Sequence, residues 1–218
     1  MYFLACNADC FLPNRKGEHK IITDLISHYN HLIDEGQDPV KDPPELQAYM
    51  DKWDGETFIK LLALNKTKNT LEIGCGTGRL AVRVAPHVRF FCGVDISSKT
   101  IEIAKSHLQN YNAELICDDF LTHSFTKKFD LIYSSLTFMH FENKYKVVEK
   151  IYNLLTANGI CVLSLDKNQN SILDFGIRQI KIYPDDPEET MNMFLKCGFR
   201  EIEKHEIDYA YLIRAKRK

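Results

Sequence analysis

The sequence predicts an α/β fold, a doubly wound and mostly parallel sheet with helices on both of its faces. From residue 69 onward, short apolar runs typical of buried strands alternate with amphipathic stretches typical of helices. Gly, Pro and Asn residues punctuate these runs where turns are needed. Strands that alternate with helices form parallel sheets, because each helix carries the chain back across one face of the sheet.

The individual elements follow from apolar periodicity and from turn residues. Strands are predicted at 70–73, 89–94, 113–117, 129–134 and 160–165. Helices are predicted at 79–85, 97–109, 143–155 and 187–196. Two final apolar runs, 199–207 and 209–215, are predicted to form an antiparallel hairpin at one edge of the sheet.

The first 56 residues differ from the rest of the chain in charge. They contain eleven acidic and five basic residues, whereas the 218-residue chain as a whole carries a net charge of −2. Apolar residues from Ile21 to Ile33 recur at helical spacing, Gly36 is a natural helix end, and another helix is predicted at 54–64. We therefore predict an N-terminal helical lid at 1–56 and a main domain at 57–218.

Composition excludes several classes of protein. The nearly balanced charge argues against a dedicated nucleic-acid binder, which would normally be basic. No apolar run approaches the roughly 18 residues that a membrane span needs, so no membrane partner is expected. Seven cysteines, most of them inside apolar runs, indicate a reducing, cytoplasmic setting. Cys6 and Cys10 lack a second pair of ligands, so no metal site is predicted.

A glycine-rich loop carries the functional signal. Gly74, Gly76 and Gly78 alternate between a predicted strand and a predicted helix, where a ligand can approach the main chain closely. The next strand ends at Asp95, whose carboxylate is placed to accept both hydroxyls of a ribose. The pattern therefore predicts a cofactor that contains adenosine, bound at the carboxyl ends of the strands.

Two adenosine cofactors fit this loop. The spacing Gly76-x-Gly78-x-x-Ala81 matches the dinucleotide fingerprint, which is a weak signal alone. Glu72, two residues before the first glycine, would repel a pyrophosphate and favour a ligand that carries an ammonium group. S-adenosylmethionine is such a ligand, although Glu72 also fits a structural role in which it bonds loop amides.

These motifs, taken in order, resemble the class I S-adenosylmethionine-dependent methyltransferases, in particular their small-molecule branch. The resemblance covers about residues 45–218, and its segments are 71–78, 93–97, 117–120, 129–135 and 154–159. It implies a Rossmann-like seven-stranded sheet whose antiparallel last strand inserts between the fifth and sixth strands. It also implies S-adenosylmethionine as the cofactor and a small molecule as the methyl acceptor.

The resemblance assigns roles to matching residues. It implies that the main chain at Gly74, Cys75 and Gly76 holds the methionine moiety, while Asp95 takes the ribose and Ile96 packs on adenine. The remaining implied cofactor contacts come from Asp118, Asp119, Phe120, Ser134 and Ser135. Cys117 departs from the family, which often has glycine there, so the turn before Asp118 is less well defined by the resemblance.

Fewer residues are candidates to contact the methyl acceptor. Tyr49 and Trp53 are candidates to cover a sulfonium by cation–π contact, or simply to pack a helix. His140 follows the fourth strand and is a candidate general base or a packed structural residue. The connection 166–187 is expected to form the other wall, and no catalytic dyad is evident.

The predicted function is therefore methyl transfer to a small molecule by in-line displacement. Three alternatives stay open: an NAD(P)-dependent oxidoreductase, a methyltransferase that acts on a macromolecule, and a non-catalytic cofactor sensor. The segment 133–136 does not carry the Asn/Asp-Pro-Pro-aromatic motif of enzymes that methylate exocyclic amines of nucleic acids. The acceptor atom and the oligomeric state are not readable from the sequence.

Overall fold

The structure of the protein, a computed structural model, describes residues 21–218. Its strands are β1 (Ile21–Ile22), β2 (Asn69–Ile73), β3 (Phe90–Asp95), β4 (Ala113–Cys117), β5 (Phe129–Ser135), β6 (Leu155–Asp166), β7 (Ile172–Phe175), β8 (Arg178–Lys181), β9 (Phe199–Glu206) and β10 (Ala210–Arg217). Its α-helices are α1 (Leu25–Asp34), α2 (Pro44–Asp54), α3 (Glu56–Leu61), α4 (Ala81–Val84), α5 (Ser98–Leu108), α6 (Lys144–Leu154) and α7 (Pro187–Cys197). Short 3-10 turns lie at Pro39–Lys41, Ala85–His87 and Phe138–His140.

The main sheet confirms the predicted fold class. Seven strands lie in the order β4-β3-β2-β5-β6-β10-β9, and β10 runs antiparallel to both of its neighbours. The first five strands of this sheet pair in parallel, so their carboxyl ends meet at one edge. The terminal hairpin is β9 and β10, with β10 inserted between β6 and β9 as the resemblance implies.

Apolar cores cover both faces of the main sheet. Leu71 and Ile73 of β2 face one core, which includes residues of α6 and α7. On the other face, Trp53 of α2 and Phe58 of α3 pack against Tyr133 of β5 and other strand residues. Strand β2 is buried on both faces and lies inside the main sheet. The glycine loop follows its carboxyl end, so the loop also lies at the middle of the sheet.

The N-terminal segment differs from its prediction in detail. Ile21 and Ile22 form a strand parallel to β8, and α1 begins only after Asp24, whose carboxylate caps the helix by accepting from the Ser27 amide. The predicted helix at 54–64 is replaced by α2 and α3, which are separated at Gly55. A side chain at Gly55 would clash with the Asp51 carbonyl. A lid role and a domain boundary at residue 57 stay predictions.

The connection 166–187 forms a small sheet of its own. Strands β7 and β8 pair in antiparallel fashion, and β1 adds to β8, which gives a three-stranded sheet in the order β1-β8-β7. The pair formed by Arg178 of β8 and Glu35 next to α1 further ties the two segments together, with N–O distances of 2.7 and 2.8 Å. Within residues 21–218, no helix is long and apolar enough to cross a membrane.

Candidate functional site

A cavity of about 240 Å³ opens where the parallel strands of the main sheet end. The loops after β2, β3, β4 and β5 contribute lining residues. Residues from α1, α2 and β7 complete the lining. This position, at the carboxyl ends of the strands, is where doubly wound sheets bind ligands.

The glycine loop reaches the cavity through Gly74 and Gly76. Both have left-handed backbone angles, with φ of 72° and 53°, which L side chains rarely adopt. A Cβ at Gly74 would lie 2.1 Å from the Thr137 hydroxyl oxygen, whereas a Cβ at Gly76 would meet nothing within 4 Å. The missing side chain of Gly76 thus leaves open space in the cavity wall, as a ligand that lies against the main chain requires.

This difference gives a paired prediction. Gly76→Ala is expected to weaken the binding of the cofactor that the resemblance implies, probed as S-adenosylhomocysteine, at least tenfold, because the new methyl group projects into the cavity. Gly74→Ala is expected to lower the unfolding midpoint more than Gly76→Ala, because its methyl group also collides with Thr137. Calorimetric titration and urea denaturation measure the two effects. Equal losses of stability with unchanged affinity for Gly76→Ala would contradict the placement of a ligand here.

Asp95 ends β3 at the cavity and ties the glycine loop to this strand. One carboxylate oxygen accepts from the Gly76 amide at 2.9 Å. The other accepts from the Ser97 amide at 2.9 Å and from the Thr100 hydroxyl at 3.2 Å. Burial raises the pKa of Asp95, and these hydrogen bonds oppose the shift. Asp95 lines the cavity beside Ile96, as a residue that receives a ribose would.

The loop after β4 contributes Asp118, Asp119 and Phe120 to the same wall. The His123 side chain lies 2.8 Å from the Asp118 carboxylate, and this hydrogen bond lowers the pKa of Asp118. Asp119 accepts from the Leu121 amide at 2.6 Å, which shapes the turn. Phe120 is buried, so the loop presents an acidic edge next to an apolar surface.

Four predicted cofactor residues lie outside the cavity lining: Glu72, Cys75, Gly78 and Ser134. Glu72 is buried and accepts from the Tyr133 hydroxyl at 2.9 Å. Burial raises the pKa of Glu72 to about 8. The Ser134 hydroxyl donates to the Ile73 carbonyl at 2.9 Å. These contacts are structural ones, and ligand roles for the four residues stay predictions.

Behind the glycine loop lies a buried ion pair that the sequence analysis missed. The Arg79 guanidinium forms two hydrogen bonds with the fully buried Asp54 carboxylate, one of them at 2.9 Å. Ser135, which lines the cavity, donates to the same carboxylate at 2.6 Å. The pair therefore connects α2, the glycine loop and the end of β5. Arg79 directly follows the loop, which is the one sequence signal for it.

On the acceptor side, Trp53 and His140 line the cavity as predicted candidates, but Tyr49 does not. Tyr49 packs edge-on against Trp53, with ring centroids 5.5 Å apart, so it supports the wall from behind. Two residues of α1, His28 and Tyr29, also line the cavity and were not predicted. Their apolar helical neighbours indicated only a buried helix face.

The residues of the cavity fit an adenosine-containing ligand. The space beside Gly76, the Asp95 carboxylate and the apolar surfaces of Ile96 and Phe120 lie along one wall. Among residues 21–218, no group of His, Cys, Asp or Glu side chains could hold a metal ion. Cys6 and Cys10 lie outside the described residues. The five described cysteines are free.

Comparison with known proteins identifies relatives of this chain. Residues 64–210 match a family model described as a methyltransferase domain. A malonyl-[acyl-carrier protein] O-methyltransferase from Priestia megaterium is 36% identical over 97 residues, which is 43% of this chain and 35% of that protein. A ubiquinone biosynthesis O-methyltransferase from Coxiella burnetii is 29% identical over 106 residues, or 47% and 45% of the two chains. These alignments span less than half the length of the curated relatives.

Solved structures share the fold over most of the chain. The magnesium protoporphyrin IX methyltransferase from Synechocystis, with bound S-adenosylmethionine, aligns with a TM-score of 0.68 and 16% identity. That alignment covers 89% of this chain and 95% of the other. The N-methyltransferase NodS from Bradyrhizobium japonicum aligns with a TM-score of 0.63 and 18% identity, over 87% and 98% of the two chains. At these identities the likeness shows a common fold.

Proposed function

The chain belongs to the class I S-adenosylmethionine-dependent methyltransferases, and from this premise we propose that it methylates a small molecule by in-line displacement. The observation that carries the proposal is the glycine loop, whose Gly76 leaves open space beside the Asp95 carboxylate in the cavity wall. S-adenosylmethionine, when bound, supplies a methyl group on a positively charged sulfur that leaves as a neutral thioether. No acid is therefore needed to assist the leaving group.

The chain's own residues would bind and align the reactants. Asp95 would accept from the ribose hydroxyls, while Ile96 and Phe120 would enclose the adenine ring. Asp118 would accept from the adenine amino group, and the main chain at Gly74 to Gly76 would face the methionine moiety. Alignment of this kind, with water excluded, can supply about 7–11 kcal/mol of a barrier. The apolar wall from α1, α2 and β7 supports that exclusion of water.

The class of acceptor is proposed from the lining of the cavity. Neither Lys nor Arg is found among its described lining residues, which gives a nucleic-acid phosphate no counter-charge. A curated relative is named for a substrate on an acyl-carrier protein, so a small group attached to a protein is a second candidate. A free small molecule is favoured because apolar residues of α1 and β7 line the cavity.

Calorimetry on the Asp95→Ala variant tests the cofactor assignment. The wild type is expected to bind S-adenosylhomocysteine and not NADH. Asp95→Ala should weaken the binding of S-adenosylhomocysteine by about 1–3 kcal/mol, because acceptors for the ribose are lost. The exposed Asp208→Ala is the control and should bind like the wild type. Tight binding of NADH alone would reject the proposal, and unchanged affinity in Asp95→Ala would reject the ribose contact.

Methyl transfer itself is tested with labelled S-adenosylmethionine and fractionated cell extract. We expect label in the small-molecule fraction, and label in a protein fraction would favour the carrier-linked candidate. Cofactor binding without transfer to metabolites, protein or RNA would identify a sensor and contradict the proposed activity.

A further inference from the structure

Two histidines line the part of the cavity formed by α1, β7 and the turn Phe138–His140, which we call the acceptor wall. His28 lies on α1 and is fully buried, with its ring 4.3 Å from the Phe175 ring of β7, measured between centroids. His140 lies on the 3-10 turn after β5, and its Nε2 is 2.7 Å from the Tyr29 hydroxyl oxygen. Both histidines line the cavity. The two rings thus lie on elements other than the loops after β2, β3 and β4, which carry Gly76, Asp95 and Asp118.

Three ring nitrogens of this pair have no hydrogen-bond partner. Both nitrogens of His28 and Nδ1 of His140 are buried and unpaired within residues 21–218. Buried polar groups in folded proteins nearly always have a partner, because an unpaired one costs about 1–3 kcal/mol. Unpaired nitrogens in a cavity wall therefore indicate a ligand that supplies the missing partner.

Both imidazoles are neutral at physiological pH. Burial, with a contribution from Arg178, lowers the pKa of His28 to about 4. Burial also lowers the pKa of His140 to about 3, with smaller effects of His28 and Lys144. Glu35 opposes the shift of His28, but its carboxylate is bonded to Arg178. A neutral imidazole has one donor and one acceptor nitrogen, so a hydroxyl group, which both donates and accepts, can bond one nitrogen of each ring.

The other lining residues of α1, β7 and the turn before His140 are mostly apolar, with Tyr29 and Thr137 as the exceptions. They include Leu25, Leu32, Leu173 and Phe175, and none of the described lining residues is a lysine or an arginine. An anionic acceptor would lose its hydration here without gaining a counter-charge. The lining carboxylates belong to the strand ends on the cofactor side, so a cationic acceptor also lacks a partner at the histidines.

We propose that the methyl acceptor is an uncharged, largely apolar molecule that bears a hydroxyl group, and that His28 and His140 hold this hydroxyl by hydrogen bonds. The inference rests on the proposed methyltransferase function and names the substrate class. Such weakly basic imidazoles are poor proton acceptors in the ground state. They therefore position the hydroxyl. For His140, this positioning role replaces the general-base role considered in the sequence analysis.

Three ring-matched probes test this inference: 4-ethylphenol, 4-ethyltoluene and 4-ethylbenzoate. Their binding is measured through the fluorescence of Trp53, the single tryptophan of the chain, which lines the cavity. We expect 4-ethylphenol to bind about tenfold more tightly than 4-ethyltoluene, because its hydroxyl can bond an imidazole nitrogen and the hydrocarbon has no such group. We expect 4-ethylbenzoate to bind most weakly. Equal binding of phenol and hydrocarbon, preference for the benzoate, or no binding of any probe would overturn the inference.

Variants of His28 assign the preference to this residue. His28→Phe should abolish the advantage of 4-ethylphenol while the affinity for 4-ethyltoluene stays within about twofold. His28→Gln, which keeps a donor and an acceptor, should retain part of the advantage and guards against a folding defect in the first variant. His31→Phe, on the exposed face of the same helix, is the matched control and should behave like the wild type.

A separate titration with S-adenosylhomocysteine distinguishes failure of the proposed acceptor class from failure of the proposed function. The His28 variants should bind it like the wild type, because the ring contacts of His28 are with Tyr29 and Phe175 and not with a predicted cofactor residue. Loss of the phenol preference with intact cofactor binding would reject the acceptor class alone. Absence of S-adenosylhomocysteine binding in the wild type would reject the proposed function instead.

Discussion

Asp54→Asn is expected to lower the free energy of unfolding by about 3–5 kcal/mol. The substitution removes the charge that neutralises Arg79 while it preserves the size of the side chain. Asp54 is fully buried and the Arg79 side chain is 16% exposed, so the guanidinium would be left unpaired where water scarcely reaches it. The Ser135 hydroxyl would also lose a charged acceptor. Urea denaturation at neutral pH measures the effect.

The same helix provides a matched control. Asp51, one turn before Asp54 on α2, pairs with Arg83 at 2.7 Å, with side chains 42% and 36% exposed. Asp51→Asn should cost less than about 1 kcal/mol, because exposed pairs contribute little. Similar losses for the two variants would show that the Asp54 pair is solvated and does not brace the glycine loop.

Glu72→Gln is expected to remove a strong pH dependence of stability. Burial raises the pKa of Glu72 from its ordinary value of 4.5 to about 8. Between these values the folded chain holds a proton that the unfolded chain releases, so stability is highest at low pH and falls as pH rises toward 8. The loss from this group at pH 8 is about 3–5 kcal/mol. Glutamine is neutral throughout and still accepts from the Tyr133 hydroxyl.

The expected observation is a gain of stability in Glu72→Gln that grows with pH. The variant and the wild type should have similar urea midpoints near pH 4.5 and should diverge by pH 8. The variant must be compared with the wild type at each pH, because His28 and His140 shift the pH dependence of stability in the opposite direction. Their lowered pKa values make the fold less stable as pH falls below 6.5. A constant offset between Glu72→Gln and wild type at all pH values would contradict the raised pKa.

Much of the fold was predictable because the main sheet is built from local signals. The central strand β2 is a short, almost completely buried run, and Gly198 marks the end of α7 before β9. β1 was not predictable in this way. Ile21 and Ile22 continue an apolar helical pattern, and only the partner strand β8, far away in the sequence, makes them a strand. Tertiary pairing overrides local pattern at that point.

The residues of the candidate site also fall into a predictable group and a group that could not be predicted. The predicted cofactor residues follow directly after three consecutive strands, so Gly76 and Asp95 could be named from spacing, and Asp118 from the family resemblance. The acceptor wall is assembled by packing α1 and β7 against the turn that carries His140. His28 and Tyr29 occupy ordinary positions on a helix, and nothing in their spacing distinguishes a cavity residue from a core residue. Asp54 was missed for the same reason, since its partner Arg79 is 25 residues away.

The small sheet of β1, β8 and β7 has a consequence for how this protein could diversify. Its strands pair with one another and not with the seven-stranded sheet. Two stretches of chain that are distant in sequence therefore make up a module with its own backbone pairing and its own bond between Glu35 and Arg178. Substitutions in this module can change the shape of the acceptor wall while the strands that present Gly76 and Asp95 keep their register. Evolution can thus exchange one acceptor for another without redesigning the donor end of the molecule.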